Sequence, residues 1–128
     1  ISVIIVDLDY LKATNDIYGH QAGDSLIRRA AEVLKAGFGD ESNVSLVARI
    51  GGDEFAILLP GTEAQKAAEA MEHLRELVIL NNQFYRHPEL SLSLGAATSM
   101  PGLPLEKVIS IADNAMYADK ASHRRLPN

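Results

Sequence analysis

Two adjacent glycines, Gly51 and Gly52, separate two apolar runs of strand length, Val44–Ile50 and Phe55–Leu59. A glycine pair between such runs predicts a tight β-hairpin, because the central residues of the tightest turns need positive φ. The bend is followed at once by two carboxylates, Asp53 and Glu54. A hairpin does not require them. Like charges side by side repel, so this pair asks for a cation or for open water.

The remaining segments place that hairpin within a fold. Ser2–Val6 is a nearly continuous apolar run, as expected of a strand buried on both faces, and it ends in Asp7-Leu8-Asp9. Period two puts Asp7 and Asp9 on one side, at the C-terminal end of a central strand. Tyr10–Tyr18 is helix-compatible and Gly19 can stop it. A second helix opens at Gly23-Asp24, carries Leu26, Ile27, Ala30, Ala31, Val33 and Leu34 at helical spacing, and ends at Gly37 and Gly39. After the hairpin, Thr62-x-x-Gln65 reads as a capping box. The helix it starts has an apolar stripe of Ala64, Ala67, Ala68, Met71, Leu74 and Val78, and Asn81-Asn82 closes it. Leu90–Thr98 is a strand with Gly95 as a bulge or close-approach point. A last helix begins near Leu105 and turns Val108, Ile109, Ala112 and Met116 inward.

The order β-α-α-β-β-α-β-α predicts an α+β fold. Its core is the split βαβ (ferredoxin-like, palm-type) arrangement, an antiparallel sheet with helices on one face. Right-handed crossovers then set the first strand beside the third and antiparallel to it. The end of one strand meets the start of the other, so Asp7 and Asp53 should be neighbours.

Composition narrows the function classes. The 128 residues suit one domain, with 47% apolar and 23% charged residues. With no cysteine, disulfides and thiolate metal sites are excluded, which fits a reducing, cytoplasmic compartment. No apolar run reaches the ~20 residues that cross a bilayer, so no membrane contact is expected of this domain, although a parent protein can be membrane-anchored. A net charge of −5 argues against nucleic acid as a partner, since such binding usually needs a basic face. The chain opens in a strand without an initiator Met, and 1–128 is therefore read as a single domain cut from a longer protein.

Converging carboxylates with no His or Cys close in sequence suit a hard cation such as Mg²⁺ (or Mn²⁺), with the Leu8 carbonyl as a further oxygen. Two such ions, roughly 3.5–4 Å apart, would serve an in-line phosphoryl displacement. Asp9 fits the plainer role of capping the following helix. Lys12, one turn on, can offer a point charge to phosphate oxygens, or be a solvated lysine. Asn15 and Asp24 can read the edge of a guanine, but also have ordinary readings as a solvated helix residue and a first-turn acid. Lys120 and Arg124 share one helix face, which in most proteins is just surface.

Arg49-Ile50-Gly51-Gly52-Asp53-Glu54-Phe55 contains the GGDEF motif letter for letter, and the chain resembles the bacterial diguanylate cyclases that bear it. The match extends through Asp7-Leu8-Asp9-Tyr10-Leu11-Lys12, Asn15-Asp16, Tyr18-Gly19-His20, Gly23-Asp24, Ser93-Leu94-Gly95 and Ala112-Asp113…Met116-Tyr117…Lys120, in the family's order and spacing. The resemblance implies condensation of two GTP into cyclic di-GMP with release of pyrophosphate. It also implies an antiparallel homodimer and, in the parent protein, a regulatory N-terminal sensory domain. Carried over by position, Asp7, the Leu8 carbonyl and Asp53 hold the metals, with Asp53 also the base. Glu54 completes the acidic turn, and Lys12 stabilises the transition state. Asn15 and Asp24 read guanine and His20 lies near the substrate. Gly51 and Gly52 let the backbone approach the phosphates, which Lys120 and Arg124 contact.

There are departures from the family's pattern. Its usual Asp-His-Phe-Lys is Asp9-Tyr10-Leu11-Lys12 here, and its Gly-Arg-Asn is His123-Arg124-Arg125. An Arg-x-x-Asp product-inhibition site upstream of the hairpin falls on Ser42 and Ser45, which implies no feedback through that site. Two alternatives stand beside the cyclase. One is a catalytically silent GTP-binding regulatory module. The other is a palm-like enzyme making a different cyclic nucleotide.

Overall fold

The computed structural model describes residues 1–38 and 45–124. β1 (Ser2–Leu8) lies inside a four-stranded antiparallel sheet of order β2 (Leu46–Arg49), β3 (Glu54–Leu59), β1, β4 (Leu92–Thr98). The helices are α1 (Leu11–Tyr18), α2 (His20–Phe38), α3 (Ala64–Tyr85) and α4 (Leu105–Arg124). The expected split βαβ topology is present, with β1 paired antiparallel to β3 on one side and to β4 on the other.

The helices do not keep to one face, as the sequence suggested. Ile4, Val6 and Leu8 meet Leu26, Ala30 and Leu34 of α2 and Leu74 of α3 on one side of the sheet. Val3 and Ile5 meet Val108, Ala112 and Met116 of α4 on the other. The reason lies in β1, which has no polar alternation along Val3–Val6 and is buried throughout. A strand apolar on both faces needs cover on both. Each fully buried Val or Met contributes about 1.5–3 kcal/mol, so α4 is held firmly.

The hairpin is wider than a glycine pair suggests. Its last ladder pair is Arg49 with Phe55, and Ile50 N–H donates to the Glu54 carbonyl at 2.9 Å to close the loop. Neither Gly51 nor Gly52 has positive φ; among the described residues Gly19, Gly61 and Gly102 do. A loop of this length turns with ordinary dihedrals, and two-residue geometry is not needed. The Arg49 side chain fastens it from below, donating to the carbonyls of Gly51 at 3.1 Å and Gly52 at 2.8 Å.

Several helix limits also move. α2 starts at His20, directly after the Gly19 that ends α1, and Gly37 lies within it. Thr62 and Gln65 form no capping box: α3 is preceded by Glu63 without a side-chain cap, and the Thr62 hydroxyl donates to Pro60 O at 3.1 Å. α3 runs past Asn81-Asn82 to Tyr85. Asn82 stays helical because its side chain is engaged outward, accepting from Leu90 N–H at 2.7 Å and from Arg29 at 2.9 Å. Ala31, Ala64, Ala68 and Ile109 are exposed, on the margins of stripes whose centres are buried.

Candidate functional site

The sheet register brings the two acidic segments together as expected. Asp7 pairs with Glu54, and Leu8 N–H donates to the Asp53 carbonyl at 2.9 Å. Asp7 and Asp9 are only 6% and 3% exposed. Into this corner α4 sends Lys120, whose Nζ stands 3.4 Å from Asp7 Oδ1, 3.1 Å from the Leu8 carbonyl and 3.1 Å from Asp9 Oδ1. Lys120 was expected to face phosphate; here it neutralises the end of β1.

Asp9 does not cap α1, whose N-terminus has no side-chain cap. Its Oδ1 accepts from Ser93 Oγ at 2.5 Å, and its Oδ2 accepts from Ser91 Oγ at 2.7 Å and lies 2.6 Å from His123 Nδ1. Sequence reasoning missed this group. The available signal was the period-two pair Ser91 and Ser93, but it gains meaning only once β4 is known to pair with β1. Asp119 was missed as well; its Oδ2 accepts from Leu94 N–H at 2.8 Å and ties α4 to β4.

The acids divide by environment. Burial raises the Asp7 carboxyl above its ordinary value, with the Asp53 charge adding to the effect against Lys120. Glu54 is raised by burial too, and by Asp113 of α4, Asp7 and Asp53. Asp113 is a further acid the sequence reading left without a role. For Asp9, burial also pushes upward, but the hydroxyls of Ser93 and Ser91 and the Lys120 ammonium outweigh it, and the carboxyl ends below its ordinary range.

These shifts set opposite pH dependences. Folded Asp7 and Glu54 keep their protons to higher pH than in the unfolded chain, so they erode stability as pH climbs through their raised values. Folded Asp9 releases its proton earlier than unfolded, and its contribution is lost as pH falls through its lowered value. Asp7→Asn should therefore raise the Tm of the chelator-treated protein at neutral pH, with the gap closing as pH drops toward 4. Thermal melts across that range check it; equal Tm values throughout would count against an Asp7 strained by burial.

The oxygen set suits a hard cation. Among the described residues, no three His, Asp or Glu side chains are grouped to hold a metal by themselves. Mg²⁺ does not require that, since it commonly takes one or two carboxylates and completes its shell with water and substrate phosphates. That one ammonium reaches both Asp7 Oδ1 and the Leu8 carbonyl shows these oxygens turned toward a common cation position. Asp53 is half-buried and near enough for its charge to raise the Asp7 carboxyl.

A second group forms where α1 meets α2. The side chain of Asn15 lies over Gly23, so closely that a Cβ there would fall 1.7 Å from Asn15 Oδ1. That oxygen is buried and has no hydrogen-bond partner. Asp24, the next residue, is exposed, as are His20 and Lys12. Gly51 and Gly52 are exposed, and a Cβ would meet nothing within 4 Å at Gly52 and only Glu54 Cβ, at 3.7 Å, at Gly51. Their lack of a side chain is thus not required by packing within the chain. Arg124 is the last residue of α4, and its side chain lies outside the described residues, as does Ser42. Ser45 donates to the Phe38 carbonyl at 2.8 Å.

Comparison with known proteins shows which family the chain is similar to. The family model described as "Diguanylate cyclase, GGDEF domain" matches residues 1–126. Diguanylate cyclase A of Treponema denticola is 32% identical over 97% of this chain and 33% of its own length. Diguanylate cyclase DosC of Escherichia coli is 34% identical over 97% of this chain and 27% of its own. The chain thus spans a third or less of these relatives. The GGDEF domain of DgcB from Caulobacter crescentus, solved in complex with c-di-GMP, superposes with a TM-score of 0.79 at 29% identity, covering 94% of this chain and 72% of that one. No helix among the described residues is long and apolar enough to cross a membrane.

Proposed function

The chain belongs to the GGDEF domain family of diguanylate cyclases, and we propose that it condenses two GTP molecules into cyclic di-GMP across a homodimer. The observation that carries this reading is the convergence of Asp7, the Leu8 carbonyl and Asp53 at one sheet edge, with a cation from α4 among them. Asp7, the Leu8 carbonyl and Asp53 would hold Mg²⁺ or Mn²⁺. When bound, such ions supply Lewis-acid stabilisation of charge on the reacting phosphate and attacking oxygen.

The chain's own residues do the rest. Each protomer positions one GTP so that its 3′-oxygen faces the partner's α-phosphorus. Asp53 accepts the 3′-hydroxyl proton as the new P–O bond forms and the bond to pyrophosphate breaks. Two such events close the ring and release two pyrophosphates. Lys12 places positive charge near the reacting phosphate, while Lys120 and Arg124 take the phosphate tail. Glu54 adds negative charge beside the metal position. Gly51 and Gly52 leave the triphosphate room that any Cβ would reduce. The unpaired Asn15 Oδ1, with Asp24 beside it, reads guanine, and His20 borders the base. The reaction uses a cytoplasmic nucleotide, and a sensory domain in the parent protein would control how the two protomers meet.

Incubating the chain at high concentration with GTP and Mg²⁺, followed by chromatography, tests the reading. Cyclic di-GMP supports it. GTP bound but unchanged, even when the chain is fused to a coiled-coil dimeriser, would replace it with a binding module. Gly23→Ala tests the guanine contact: a Cβ at that point must expel the Asn15 side chain. The fold should survive, since alanine is the better helix former, while GTP affinity falls about tenfold, the worth of one lost hydrogen-bonding group. Unchanged affinity by calorimetry would remove Asn15 from the base site.

A further inference from the structure

Tyr10 and His123, each at a position where the chain departs from the family's usual residues, meet in space. Tyr10 joins β1 to α1 in the left-handed conformation, at φ 62° and ψ 22°. A bulky residue rarely sits there, and doing so costs about 1–2 kcal/mol. Burial does not hold it, as the side chain is 53% exposed. What it gains is a hydrogen bond: its hydroxyl donates to the His123 carbonyl at 2.9 Å. That carbonyl lies in the last turn of α4, where the helix offers no partner of its own.

His123 is gripped a second time through its ring. Nδ1 lies 2.6 Å from Asp9 Oδ2 and 3.1 Å from Ser93 Oγ, and Nε2 lies 3.8 Å from Asp119 Oδ1. The sequence neighbours Asp9 and Tyr10 thus hold one residue by its side chain and its backbone. Lys12 follows on the Tyr10 side of this junction. On the His123 side, Lys120 precedes by one helical turn and Arg124 comes next.

We propose that Tyr10 and His123 form a two-point latch that clamps the last turn of α4 to the β1–α1 corner and so positions Lys120 for the triphosphate. Tyr10 and His123 are positioning residues, acting through Lys120. The latch itself rests on the contacts above; its effect on nucleotide rests on the cyclase reading. Fixing the helix end in the free protein removes an ordering cost that binding would otherwise carry.

The test uses the full 128-residue chain and two variants. Tyr10→Phe deletes only the hydroxyl, and His123→Ala removes the ring while keeping the carbonyl. In nucleotide-free protein, Tyr10→Phe should raise amide hydrogen exchange across residues 119–123 about three- to tenfold, with Tm lowered by only a few °C. With GTP and Mg²⁺, both variants should raise KM and the GTP Kd about three- to tenfold while kcat changes less than twofold. The double variant should cost less than the product of the two single effects, because either change opens one latch. Unaltered exchange in Tyr10→Phe overturns the latch whether or not GTP binds. Faster exchange with unchanged GTP Kd overturns the positioning role alone. A parent chain that binds no GTP overturns the cyclase reading and the positioning role with it, while the exchange result still decides the latch.

Discussion

Asp53→Ala is expected to abolish cyclic di-GMP formation, with a loss of about a thousandfold or more, while leaving the domain folded. The fold survives because Asp53 serves the sheet through its backbone: it is the carbonyl, not the carboxylate, that accepts the bond from Leu8 N–H. Removing the side chain also relieves repulsion, since the Asp53 charge raises both Asp7 and Glu54. The chemistry has no such reserve. Asp53 is proposed both to hold the metal with Asp7 and to take the proton of the attacking hydroxyl. Glu54, opposite Asp7 in the ladder and near Asp113 of α4, adds charge beside the metal position but is not proposed as the base. Asp53→Glu, which keeps the carboxylate, should retain activity within about tenfold. Chromatography of product from parent and variants at matched concentration, with circular dichroism to confirm folding, decides the matter. An Asp53→Ala protein that cycles GTP at the parental rate would move the metal and base elsewhere.

That Asp7 and Asp53 meet was readable from the sequence because the inference needs only strand order and handedness. Both follow from patterns many residues long, and small errors in element limits do not disturb them. The details that escaped depend on tertiary partners. Asp9 looked like a helix cap because an acid before a helix usually is one; Ser91, Ser93, Lys120 and His123 captured it instead, all from segments more than 80 positions away. Asn82 looked like a helix end because asparagine favours that role. Here its amide is bound to Leu90 and Arg29, and the helix continues past it. The helices on both faces were implicit in a β1 with no polar alternation, but the split βαβ motif favoured a one-sided cover. In the site, the contacts of single side chains were the least readable part. Lys120 was singled out for phosphate, yet nothing local shows that its ammonium reaches Asp7, the Leu8 carbonyl and Asp9.

Gly95 carries the largest expected effect on stability. It lies on β4 opposite Ile5 of β1, where α4 crosses the sheet. A Cβ built there would lie 2.2 Å from both Ala112 O and Met116 N, and 2.8 Å from the Ala115 carbonyl carbon. These are backbone atoms of a helix interior, so no rotamer change can make room. The whole helix would have to lift, and with it Val108, Ala112 and Met116, which cover Val3 and Ile5. Overpacking typically costs 1–3 kcal/mol where side chains can yield. With backbone on both sides, Gly95→Ala should cost about 3 kcal/mol or more, lowering Tm by roughly 10 °C. The damage extends to the site, because α4 carries Lys120 to the acids and Asp119 to Leu94 N–H. At temperatures where the variant remains folded, exchange should therefore rise at Leu94 and along residues 105–123 before it rises in α2. Gly23→Ala makes the contrast, since there the obstructing atom is the far end of one asparagine side chain and only local function should suffer. A Gly95→Ala protein melting within 2–3 °C of the parent would show that α4 can ride higher on the sheet at little cost, its close seat then reflecting choice among positions rather than constraint.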